Sequence, residues 1–106
     1  MSDISAMAVT PETLLQSAAA HVSAARDTQG GDSRHHTALA QVYTRCSSLL
    51  IDDPSAALDV NEAVSLLREA QVHGEHVYGD PKPDYVNLAD LRVTMARVAS
   101  RHRRGE

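Results

Sequence analysis

Residues 38–50 read Ala38-Leu39-Ala40-Gln41-Val42-Tyr43-Thr44-Arg45-Cys46-Ser47-Ser48-Leu49-Leu50. Ala38, Leu39, Val42, Tyr43, Cys46, Leu49 and Leu50 recur at three- and four-residue intervals, which places all seven on one stripe of an α-helix and on no single face of a strand. The stripe is nearly unbroken, so this helix must bury one side against neighbours. Asp32 or Ser33 is the expected N-cap, and Asp52-Asp53-Pro54 the stop, because a residue preceding proline disfavours helical dihedrals.

Working outward, the remaining segments repeat the pattern. Upstream, Thr10 precedes Pro11 and Glu12, an N-cap, a proline at the first helical position and an acid at the positive end of the dipole. Leu14, Leu15, Ala18, Ala19, Val22 and Ala25 then form the predicted buried face, and Gly30-Gly31 ends the helix. Residues 1–9 carry no cap and no period and read as a flexible lead-in to one domain spanning 10–104. Downstream, Pro54 fits a short helical piece through Leu58. Asp59 with Glu62 resembles a capping box for a third helix on Val60, Ala63, Val64, Leu67 and Ala70, which continues towards Val77 despite Gly74. After the two-proline segment Tyr78–Val86, Asn87 is the expected cap of a fourth helix whose buried face is Leu88, Leu91, Met95, Val98 and Ala99. No stretch alternates with period two. The fold predicted is all-α, a four-helix bundle-like arrangement of two helical hairpins without a sheet.

Composition agrees with that class. The 106 residues include sixteen Ala but no Phe and no Trp, so the helices must approach closely on small side chains. Such a core buries little apolar area per residue, and a stripe shared with another chain would add to it; a homodimer or a place within a larger assembly is expected. Cys46 is the single cysteine, so no intrachain disulfide forms. The opening Met1-Ser2-Asp3-Ile4 lacks a basic and apolar leader, and no run approaches the length of a membrane span, so a cytoplasmic protein without membrane contact is expected.

Charge is divided unevenly. Residues 92–106 hold Arg92, Arg97, Arg101, Arg103 and Arg104 against Glu106, a net +4, while residues 1–91 hold five basic and thirteen acidic side chains, a net −8. An acidic body with an arginine-rich end suggests contact with something negative. The bland counterpart is that cations near a helix C-terminus complement its dipole. Tyr78 and Tyr85, on a proline-stiffened loop, are candidate contact anchors for the same partner, or else cover the rim of the bundle.

Chemistry beyond contact has little footing in the residues. His73 and His76 lie three apart and could share a face, but a zinc site needs three or four converging ligands, and these two are weak candidates. There is no glycine-rich phosphate loop and no Gly-x-Ser-x-Gly elbow, and Asp52-Asp53, Asp80 and Asp84 sit beside prolines at turns, where capping and turn-making explain them. The expectation is therefore a small non-enzymatic interaction module without a cofactor. It would serve as an adaptor, regulator or assembly component, using a helix face and the arginine-rich end to meet an acidic protein surface. The alternatives are a nucleic-acid-binding regulator acting through the C-terminal helix, and a metal-binding sensor built on His73 and His76.

Overall fold

A computed structural model describes residues 9–105, and these fold into four α-helices and one 3-10 turn. They are α1 (Pro11–Asp27), α2 (Gly30–Asp52), the turn Pro54–Ala56, α3 (Ala57–His73) and α4 (Tyr85–Arg103). No strand occurs among the described residues. Helix α1 pairs with α2, and α3 with α4, as two hairpins, while α2 also packs against both α3 and α4. Helix α2 is the hub of the molecule. The expected lead-in lies outside the described residues apart from Val9, which packs against the core.

The start of α1 follows the sequence closely. Thr10 Oγ1 accepts from Thr13 N at 3.1 Å, and Thr13 Oγ1 accepts from Thr10 N at 3.0 Å, a reciprocal cap ahead of Pro11. The first turn between hairpin partners is tighter than expected. Gly30-Gly31 does not lie between the helices but opens α2, whose N-cap position is Gln29. Gly30 enters at φ +63°, a left-handed conformation that glycine adopts freely. Ser33 therefore sits inside α2 rather than capping it, and its hydroxyl donates to the Ala25 carbonyl at 2.8 Å. Thr28 donates likewise to the Ala24 carbonyl at 2.9 Å, so two orphan carbonyls at the end of α1 are satisfied by hydroxyls.

Two further boundaries move for visible reasons. Helix α3 starts at Ala57, directly after the 3-10 turn that Asp53 caps through Ser55 N at 3.1 Å. Asp59 and Glu62 do not box this start; both turn towards Arg92 of α4. Helix α3 stops at His73 instead of running to Val77, because Gly74 takes φ +79° and leaves the helix after donating its N–H to the Ala70 carbonyl. Helix α4 begins at Tyr85, two residues before the expected cap. Asp84 caps it, accepting from Asn87 N at 3.2 Å and from Asn87 Nδ2 at 2.6 Å.

The core is built where the central stripe of α2 meets its neighbours. Leu39, Val42, Tyr43, Cys46, Leu49 and Leu50 are buried, as are Val60, Ala63, Val64, Leu67 and Ala70 of α3. Helix α1 contributes Leu14, Ala18 and His21, while Leu15 and Val22 stay about half exposed. Helix α4 departs most from expectation. Its buried residues are Ala89, Val93, Ala96 and Ser100, and the predicted face of Leu88, Leu91, Met95, Val98 and Ala99 points outward. The small side chains win the inner position because α3 already presents Ala63 and Ala70, and alanine on both sides lets the two backbones close together.

Candidate interaction surface

The arginine-rich end of α4 is first of all an intramolecular clamp. Helix α2 ends in Asp52 and Asp53 with no basic residue in its last turn, which leaves acids at the negative end of its dipole. Helix α4 supplies the missing cations. Arg97 Nη1 donates to Asp52 Oδ2 at 3.0 Å and its Nη2 to Ser48 Oγ at 3.0 Å. Arg103 Nη2 reaches Asp53 Oδ2 at 2.6 Å, and Arg104 Nη1 donates to the Asp52 carbonyl at 3.3 Å.

The Asp53 carboxyl is held well below the usual carboxylate range. The Ser55 hydroxyl contributes most, followed by Ser100 and Arg103. Ser100 Oγ is buried and meets no partner in full hydrogen-bond geometry, so it acts on Asp53 as a nearby hydroxyl dipole. On the opposite flank Arg92 pairs with Asp59 at 3.3 Å and with Glu62, tying α4 to α3. Arg45 of α2 pairs with Asp90 of α4. Each of these exposed pairs is worth ~0–1 kcal/mol, but together they set the rotation of α4 about its axis.

Of the five arginines read as a docking surface, Arg101 is the one without an ion pair or hydrogen bond among the described residues. His102 stands beside it on the exposed surface.

The two tyrosines occupy different surroundings. Tyr78 is 100% exposed, on a turn closed by Asp80, whose backbone N–H donates to the Val77 carbonyl at 2.8 Å. Tyr85 is half-buried in the first turn of α4 and stacks on His73, ring centroids 5.5 Å apart. That stack separates the histidine pair as well. His73 faces Tyr85 and Glu69, while His76 lines a shallow depression with Arg34, His35 and Glu75. No group of three or more His, Cys, Asp or Glu among the described residues could hold a metal ion. Burial pushes the Cys46 thiol up to about 12, which keeps it a protonated core residue.

A histidine cluster that spacing alone did not reveal lies where α1 crosses α2. His21 Nδ1 and His36 Nδ1 are 2.9 Å apart, one donating and the other accepting, and His21 stacks on both His36 and Tyr43. Its place in the sequence held a hint, because His21 continues the interval of Leu14 and Ala18. Burial first, and then the neighbouring His36, lowers the His21 pKa, with Gln71 opposing and His35 adding slightly. The folded value thus lies below the ~6.5 of an unfolded histidine. In that interval the unfolded chain binds more protons, so stability should fall as pH drops below about 6.5 and level off below the folded pKa. The slope should not exceed ~1.4 kcal/mol per pH unit. Urea denaturation at a series of pH values, with His21→Gln giving a flatter profile, checks this.

A further uncommitted feature is the outer face of α4. Leu88, Leu91, Met95 and Val98 are 44, 56, 59 and 61% exposed, and they line up along the side of the helix opposite its buried face. Thr94, Met95, Val98, Ala99 and His102 line a shallow depression of about 470 Å³ at its C-terminal half. A contiguous apolar row of this kind marks a contact surface more often than isolated exposed residues do. No helix among the described residues is long and apolar enough to cross a membrane. Comparison with protein-family models, curated proteins and solved structures finds no match.

Proposed function

We propose that this chain is a non-enzymatic protein-interaction module whose contact surface is the outer face of α4, edged by Arg101 and His102. One observation carries the reading. Helix α4 turns its small residues inward and leaves a continuous row of Leu88, Leu91, Met95 and Val98 outside, with Arg101, unpaired among the described residues, at one end. Ion pairs on both flanks hold that orientation, so the row is presented rigidly, and a contact made there costs little ordering entropy. Arg101 contributes orientation and encounter rate more than affinity. Nucleic-acid contact through α4 gains little support, since Arg97, Arg103 and Arg104 already bind the acids and carbonyl at the end of α2. Tracking a phosphate backbone needs several available cations.

Site-specific photocrosslinking in the native host tests the proposal. A photoreactive residue at position 98 should give discrete adducts of higher mass, and one at Val72, which is still more exposed on α3, should give none. Equal patterns from both positions, or no adduct from position 98, would overturn it.

A further inference from the structure

We infer that the occupant of the α4 outer face is a second copy of this chain, paired antiparallel through the same face; this rests on reading that face as the interaction surface. The argument begins with spacing. Asp84, Leu88, Leu91, Met95, Val98 and His102 follow one another at intervals of four, three, four, three and four residues. That is the seam of a left-handed helix pair, and its intervals read the same in both directions. An isologous interface requires this property, because every contact is made twice about a two-fold axis.

Placing the axis beside Val93, midway along the seam, sets Leu91 against Met95 of the other copy and Leu88 against Val98. The depression lined by Thr94, Val98, Ala99 and His102 then receives the Leu88 of the second copy. Thr94 and Ala99, flanking the seam, are small enough for the helices to approach.

Charge selects the direction. Antiparallel pairing brings the Asp84 carboxylate to His102 and Arg101 of the other copy at both ends of the seam. Asp84 spends part of its accepting capacity on Asn87 as the helix cap, and a carboxylate has lone pairs to spare. Parallel pairing would instead set acid against acid and arginine against arginine. Arg92, which flanks the seam near the axis, is neutralised by Asp59 and Glu62 of its own chain, so the two copies of Arg92 do not oppose closure.

Area sets the strength. Four half-exposed apolar side chains on one helix fall short of the ~800 Å² per partner of a standard stable complex. The dimer is therefore weak and concentration-dependent, monomeric at low micromolar concentration and populated at high micromolar concentration.

Sedimentation equilibrium on the full chain reads the mass against concentration. The expected result is a rise from 11.4 kDa towards twice that value, with Leu91→Glu weakening association by roughly tenfold or more and leaving the far-ultraviolet spectrum and melting point at low concentration unchanged. Direction is read with cysteine pairs. Oxidising a mixture of Leu88→Cys and Val98→Cys proteins should give the mixed disulfide. Each variant alone should give little, because like positions lie about 15 Å apart along the paired helices; Cys46 is buried and does not compete.

Disulfides formed readily by either variant alone would overturn the antiparallel arrangement. A single species of 11.4 kDa at high micromolar concentration would overturn the dimer altogether. In that case adducts from position 98 to a different protein would leave the proposed function standing without the self-pairing.

Discussion

Replacing Ala89 with leucine should lower stability by about 1–3 kcal/mol, whereas replacing Leu91 with serine should cost less than about 1 kcal/mol in the monomer. From residue type alone the order would be reversed, since losing a leucine usually matters more than gaining one. Ala89 has no exposed surface and lies on the buried face of α4, the helix that packs on α3 and α2, so three added carbons have nowhere to go without moving the helix. Leu91 is 56% exposed and leaves no cavity behind. At ~4–8 °C per kcal/mol for a domain of this size, Ala89→Leu should melt at least several degrees lower, and Leu91→Ser close to the parent. Differential scanning calorimetry at low micromolar concentration makes the comparison while the chain is monomeric. A larger loss for Leu91→Ser would mean that α4 is rotated by about half a turn, and the outer face would cease to be a candidate surface.

Leu39→Ala should be the most damaging single truncation of the hub helix, costing about 2–5 kcal/mol. Leu39 is completely buried in α2, the helix that meets all the others, so the space left by its side chain is walled by several elements that cannot relax together. Domains of this size have ~5–15 kcal/mol of stability in all, and a core without Phe or Trp sits towards the lower part of that range. The variant should therefore be partly unfolded at growth temperature. Leu58→Ala supplies the contrast: Leu58 is 70% exposed at the start of α3, and its loss should stay within about 0.5 kcal/mol. Urea midpoints with unchanged slopes measure both. Similar losses at the two positions would contradict the placement of the core along the stripe of α2.

The sequence by itself determined the helical class, the four segments and the pairing into hairpins. Period, caps and prolines act within a few residues, and Thr10-Pro11 or the stripe from Leu39 to Leu50 carries its own signal. Boundaries shifted where a residue had two uses. Ser33 and Asp59 have the chemistry of caps, but a hydroxyl also suits an orphan carbonyl of α1, and a carboxylate also suits Arg92. Local pattern cannot rank these uses, because the competing partner lies on another helix.

Tertiary structure alone decided which face of α4 is inside. Both of its faces are apolar at helical spacing, one large and one small, and a period cannot distinguish them. The alanines of α3 favour the small face, and the ion pairs to Asp52, Asp53, Asp59 and Glu62 hold the helix in that rotation. The same pairs changed the meaning of the arginine-rich end. Its charge was plain in the composition. Its use depended on where α2 ended, because two acids at a helix C-terminus leave a deficit of positive charge that only a neighbouring helix can fill.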